Sequence, residues 1–85
     1  MPVITIYTTS SCPYCHQAKR LLKQKAMSFE EIDVGGRPDL REEIFQRSGG
    51  RRTVPQIWIG DLHVGGCDDL YALEASGKLD ELLYA

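Results

Sequence analysis

The segment Cys12-Pro13-Tyr14-Cys15, directly after the apolar run Val3-Ile4-Thr5-Ile6-Tyr7, constrains this chain more than any other feature. A strand that ends, and a helix that begins, at a Cys-x-x-Cys is the sequence pattern of a thiol–disulfide redox centre. Pro13 suits the first helical position, because the N–H it lacks would be unpaired there in any case. Cys12 is then the expected N-cap, its sulfur facing free N–H groups and the positive end of the helix dipole, an environment that favours thiolate over thiol. Cys15 lies one turn further in, within reach of the same sulfur. A zinc site is the alternative for such a pair, but structural zinc takes four ligands. Only Cys67, His16 and His63 remain to complete that set, and they lack motif spacing.

At 85 residues the chain is expected to form one domain, 1–85, and its 42% hydrophobic content suffices for a modest core without disulfide staples. A net charge of −2 and a pI of about 5.6 argue against a nucleic-acid or anionic-membrane surface. Three cysteines, an odd count, do not suit a secreted disulfide framework. Met1-Pro2-Val3 opens no signal peptide, and no stretch approaches the ~20 apolar residues of a bilayer span. These features together predict a cytoplasmic, soluble protein that binds neither nucleic acid nor membrane.

Val3–Tyr7 reads as a strand buried on both faces. From Pro13 the period turns helical, with Cys15, Ala18, Leu21, Leu22 and Ala26 on one stripe. Lys19, Arg20, Lys23 and Lys25 form a basic, solvated remainder, and His16 reads as an exposed helical residue. Phe29–Val34 is a second strand with Phe29 out of phase, closed by Gly35-Gly36. Pro38 opens a helix burying Leu40, Ile44 and Phe45, and Gly49-Gly50 stops it. These segments predict a βαβ unit with a parallel strand pair. Gln56–Ile59 is a strand with Ile57 and Ile59 on one face and Trp58 on the other. Gly60-Asp61 suits a type II′ hairpin turn to a returning strand, Leu62–Val64. Gly65-Gly66 breaks that strand, and Asp68 or Asp69 caps a helix carrying Leu70 and Leu73. Gly77 ends this helix, and Leu79, Leu82 and Leu83 mark a short terminal one.

Three motifs, Cys12-Pro13-Tyr14-Cys15, Thr53-Val54-Pro55 and Gly65-Gly66-Cys67-Asp68-Asp69, together resemble the glutaredoxins, specifically the small bacterial dithiol members of the thioredoxin superfamily. Thioredoxins usually carry Trp-Cys-Gly-Pro-Cys and lack the last motif. The resemblance covers essentially the whole chain. It implies an α/β thioredoxin fold with a four-stranded mixed sheet, order 2-1-3-4, flanked by helices on both faces. It implies a monomeric enzyme that reduces protein disulfides and glutathione mixed disulfides through the Cys12/Cys15 dithiol. Glutathione would be reductant and co-substrate, with no permanently bound cofactor or metal.

The resemblance also implies a binding role for Tyr14, Thr53, Val54, Pro55, Gly66, Cys67, Asp68 and Asp69. Pro55 would be cis, turning the Val54 backbone toward Cys12 to pair with an extended peptide. The amides of Cys67 and Asp68 would hold the γ-glutamyl carboxylate, and Asp69, or less directly Asp68, its ammonium. Cys67 itself reads as a small packed residue. Arg41 occupies the position that holds the glycine carboxylate, with Arg51 and Arg52 as nearby candidates. Thr9 departs from the pattern: many family members carry Lys there, so the helix terminus would carry more of the thiolate stabilisation. Two other functions fit parts of this picture. One is a dimeric scaffold holding an iron–sulfur cluster through Cys12 and glutathione, although Pro13 resembles the redox-active branch. The other is a thioredoxin-like reductase fed by a flavoenzyme.

Overall fold

A computed structural model describes residues 2–84. The elements in chain order are β1 (Ile4–Thr8), α1 (Pro13–Gln24), β2 (Glu30–Asp33), α2 (Pro38–Ser48), β3 (Gln56–Ile59), β4 (Leu62–Gly65), α3 (Cys67–Ala75) and α4 (Lys78–Leu83). The strands form one mixed sheet in the order β2-β1-β3-β4. β1 runs parallel to β2, with Thr5 opposite Glu30 and Thr8 opposite Asp33. It runs antiparallel to β3, with Ile4 opposite Ile59 and Tyr7 opposite Gln56. β3 and β4 form the antiparallel hairpin, with an irregularity between Ile57 and Trp58. Of the two turn residues only Gly60 has positive φ, +60°, as a type II′ turn requires at its first central position.

Alternation along the two central strands builds two cores. Ile4, Ile6, Ile57 and Ile59 face Ala18, Leu21 and Leu22 of α1, Cys67 and Leu70 of α3, and Leu79 and Leu83 of α4. Tyr7 and Trp58 face the other way, onto Val34 and Ile44 of α2. Helices therefore cover both faces, which is why β1 and β3 carry apolar residues at successive positions.

The boundaries and packing differ from the sequence expectation in several places, each for a local reason. Val3 lies outside β1 and is two-thirds exposed, while its carbonyl accepts the Gly60 N–H at 2.7 Å. β2 begins at Glu30, leaving Phe29 to pack half-buried beside the larger core. In α2 only Ile44 is fully buried; Leu40 and Phe45 are partly exposed because the cluster on this face is small, with Tyr7, Val34 and Trp58 buried and Ile32 and Val54 at its edge. Lys19 and Lys25 are not simply solvated. Lys19 pairs with Glu31 at 2.9 Å, and Lys25 reaches Glu74 at 2.8 Å and Asp80 at 2.9 Å.

Ala26 does not continue the apolar stripe. α1 stops at Gln24, and Ala26 turns left-handed with φ +58°. Its N–H reaches Lys23 O, while the Met27 N–H reaches Leu22 O. This is the two-bond closure that usually recruits glycine. The turn buries Met27 and exposes Ala26.

Candidate active site

The first strand–helix junction carries the dithiol. Cys12 is the N-cap of α1, extended at φ −90° and ψ 112°, with Pro13 following. Its sulfur accepts the Cys15 N–H at 3.2 Å and lies 3.8 Å from the Val54 carbonyl oxygen. An otherwise unpaired amide of the helix start is thus aimed at sulfur, where negative charge is favoured. Cys12 remains partly exposed, whereas Cys15 is fully buried, and both are free thiols. Burial, helped by the hydrogen bond with Cys12, pushes the Cys15 thiol up to about 12, against smaller opposing effects of the Thr9 backbone and Lys19. One cysteine is presented to partners, and the other is held as a thiol behind it.

Across from Cys12 the Val54–Pro55 peptide is cis, and the Val54 carbonyl oxygen borders the sulfur. A groove of about 390 Å³ runs from this point, lined by Tyr14, Arg51, Thr53, Val54, Pro55, Gly66, Cys67, Asp68 and Asp69. Its far wall is the start of α3. Gly66 is the N-cap, and Asp69 reaches back to accept the Gly66 N–H at 2.9 Å, so Asp69 rather than Asp68 is the capping residue. The same Asp69 oxygen meets the Arg51 guanidinium at 3.4 Å. Gly65 is required by this arrangement: its φ is +116°, and a Cβ there would collide with the Asp69 carboxylate. Cys67 is buried, its sulfur 3.9 Å from the Gln17 side-chain oxygen, and burial, with Asp68 and Cys12 nearby, pushes its thiol up.

The groove thus brings together Tyr14, the second sequence motif, and Gly66, Cys67, Asp68 and Asp69 of the third. Arg41 is not among them. It lines a separate recess of about 320 Å³ on α2 with Pro38, Glu42, Phe45 and Arg52, where the Arg52 guanidinium sits 4.3 Å over the Phe45 ring. The cation at the groove is Arg51, which the sequence offered, with Arg52, as a further candidate for the carboxylate assigned to Arg41. Its separation by two residues from Thr53 is the signal that could have singled it out. His16 is exposed, with Nε2 3.1 Å from the Ser10 carbonyl oxygen. No group of three or more His, Cys, Asp or Glu among the described residues is arranged to hold a metal ion.

A mixed sheet of this order, with a helix-capping thiol beside a cis-proline strand start, defines a thiol–disulfide redox protein of the thioredoxin fold. Comparison with known proteins narrows the class. The family model described as Glutaredoxin matches residues 4–64. The chain is 60% identical over 85 residues to a glutaredoxin of Pseudomonas aeruginosa, covering 100% of each. The solution structure of a glutaredoxin from Brucella melitensis is similar, with a TM-score of 0.85 and 59% identity over 98% of this chain and 89% of that one. A buckwheat glutaredoxin–glutathione complex matches with a TM-score of 0.89 and 29% identity over 98% and 77%. The chain belongs to the glutaredoxin family, and its chemistry is thiol–disulfide exchange.

Proposed function

We propose that this protein is a glutathione-dependent disulfide oxidoreductase that reduces glutathione mixed disulfides and protein disulfides. The observation that carries this reading is the groove itself. It is lined by Val54, whose carbonyl oxygen meets the Cys12 sulfur, and it ends at a helix start flanked by a carboxylate and a guanidinium. Glutathione has matching parts in that order: a sulfur, a peptide backbone, and a γ-glutamyl end bearing both carboxylate and ammonium. The amides of Cys67 and Asp68, first in α3, suit the carboxylate, and Asp69 suits the ammonium. Arg51 then has a choice of partner, Asp69 in the free protein or a ligand carboxylate. The glutathione complex of the buckwheat relative supports the assignment.

In the proposed cycle the Cys12 thiolate attacks the glutathione sulfur of a mixed disulfide. A Cys12–glutathione disulfide forms, and the substrate sulfur leaves as a thiolate that takes a proton from solvent. A second glutathione thiolate attacks the glutathione sulfur of that intermediate, giving oxidised glutathione and restoring the Cys12 thiolate. With a protein disulfide, Cys12 attacks one sulfur and the other leaves as a thiolate; Cys15 then loses its proton and attacks Cys12 Sγ, displacing the first sulfur as a second thiolate and leaving a Cys12–Cys15 disulfide. Two glutathiones return the two electrons. The test is reduction of a glutathione mixed disulfide driven by glutathione with glutathione reductase, beside the same assay driven by thioredoxin reductase. Turnover only with the first system is expected; turnover only with the second would overturn the proposal.

A further inference from the structure

Gln56 is a polar side chain that thiol chemistry does not use, yet it is fully buried at the start of β3. Both ends of its amide are engaged. Its Nε2 donates to Thr53 Oγ1 at 3.2 Å, and its Oε1 faces His63 Nε2 at 2.7 Å. The second pairing requires a proton on His63 Nε2. The His63 ring is held in place by stacking on Trp58, at 4.5 Å between ring centroids, and Trp58 is itself covered by the Arg47 guanidinium at 4.3 Å. A chain of polarity therefore runs from β4 to the groove. His63 donates to the amide oxygen, so the amide nitrogen must face Thr53, and the Thr53 hydroxyl must accept. The hydroxyl proton is then left free, and Thr53 lines the groove.

We infer that Gln56 is a positioning residue, and that the His63–Gln56 pair presents Thr53 to the groove as a hydrogen-bond donor. The groove would then select a ligand with an acceptor at that point, a carboxylate or peptide carbonyl oxygen, over one with a donor. Burial makes this selection firm, because a buried amide left with a mismatched partner is strongly disfavoured. The inference rests on the proposed glutathione reading for the identity of the ligand, but not for the hydrogen-bond chain itself.

The test is a double-variant cycle on the whole protein, using the mixed disulfide of glutathione and cysteine as substrate. Thr53→Val removes the hydroxyl, Gln56→Met removes both amide bonds at similar volume, and Thr53→Ser restores the hydroxyl. Each of the first two should raise KM about 5-fold, with much less effect on kcat, as expected for one neutral hydrogen bond. Thr53→Ser should recover most of the KM that Thr53→Val loses. Because Gln56 acts through Thr53, the double variant should be no worse than Thr53→Val alone, whereas independent roles would multiply to about 25-fold and overturn the inference. A second measurement stands even if Gln56→Met fails to fold. Nitrogen-15 chemical shifts of the unsubstituted protein should show the His63 proton on Nε2. A proton on Nδ1 alone would reverse the amide and refute the donor assignment. Should the unsubstituted protein show no glutathione-driven turnover, the functional proposal fails, and the His63 shifts still decide this inference.

Discussion

Two cysteines three residues apart occupy opposite environments. Cys12 meets solvent and a helix amide, whereas Cys15 is wholly enclosed and its thiol is pushed up to about 12. Attack therefore belongs to Cys12, and Cys15 is needed only where an internal disulfide must form. Cys12→Ser should abolish all turnover, while Cys15→Ser should retain deglutathionylation and lose reduction of protein disulfides; equal inactivation of both would contradict this division. Alkylation followed by mass mapping should mark Cys12 well before Cys15 at every pH below the ordinary thiol value of 9.0. Gly65 supplies a second residue-scale prediction. Gly65→Ala places a methyl group where the Asp69 carboxylate sits and forces φ +116° on a residue with a Cβ. A loss of ~1–3 kcal/mol in stability is expected by urea unfolding. The same variant should weaken glutathione use, because displacing Asp69 frees the Gly66 N–H and removes the proposed ammonium partner. Unaltered stability and KM would show that the α3 start tolerates the shift.

At the scale of elements, the end of α1 is the place where local preference and tertiary demand disagree. Ala26 holds the left-handed position that closes the helix, because Met27 must enter the core one residue later. Left-handed backbone costs an L-residue ~1–2 kcal/mol, and glycine gives back ~0.5–1 kcal/mol through unfolded-state freedom. Ala26→Gly should therefore stabilise the protein by up to ~1 kcal/mol. In a chain of this size that is a rise of up to about 5 °C in Tm, readable by calorimetry. A fall in Tm would mean that the turn is held by something other than backbone preference. The same region is tied to α3 and α4 by the Lys25 pairs with Glu74 and Asp80. The Glu74 pair joins the end of the helix that carries the dithiol to the helix that forms the far wall of the groove.

For the whole molecule, burial shifts three groups in one direction. Burial first raises Cys15, Cys67 and Tyr7 above their ordinary values of 9.0, 9.0 and 10.0. A folded state that holds its protons more tightly than the unfolded chain is stabilised below the unfolded value and loses that stability as pH rises. For Cys15 the window runs from 9.0 to about 12. The urea midpoint should thus fall steadily through this range, and the fall should be shallower in Cys15→Ser, which does not titrate there. An equal slope in both proteins would show that Cys15 is not a principal contributor. On the acid side Glu31 is held below 4.5, first by Lys19 and then by the Thr8 hydroxyl. Its contribution is present at neutral pH and declines as pH falls through that lowered value.

The division between sequence and structure follows the range of the interactions. The strand–Cys-x-x-Cys–helix junction, the Gly60-Asp61 hairpin and the glycine stop of α2 are local, each set by backbone preference within a few residues, and all were legible from the chain. The sheet order and the two-sided helix cover were implied by the family that the three motifs resemble, and the strands take that order. What sequence could not decide depended on residues far apart. The end of α1 is set by a core that wants Met27 rather than Ala26. Arg51 stands at the groove, and Arg41 in a separate recess, because of how α2 lies on the sheet. The Thr53–Gln56–His63 chain joins side chains on two strands and a loop, which no periodicity reports. Local propensity fixed the elements and placed the thiols, and only packing could say which polar side chains would share the groove with them, because that depends on distances across the sheet rather than along the chain.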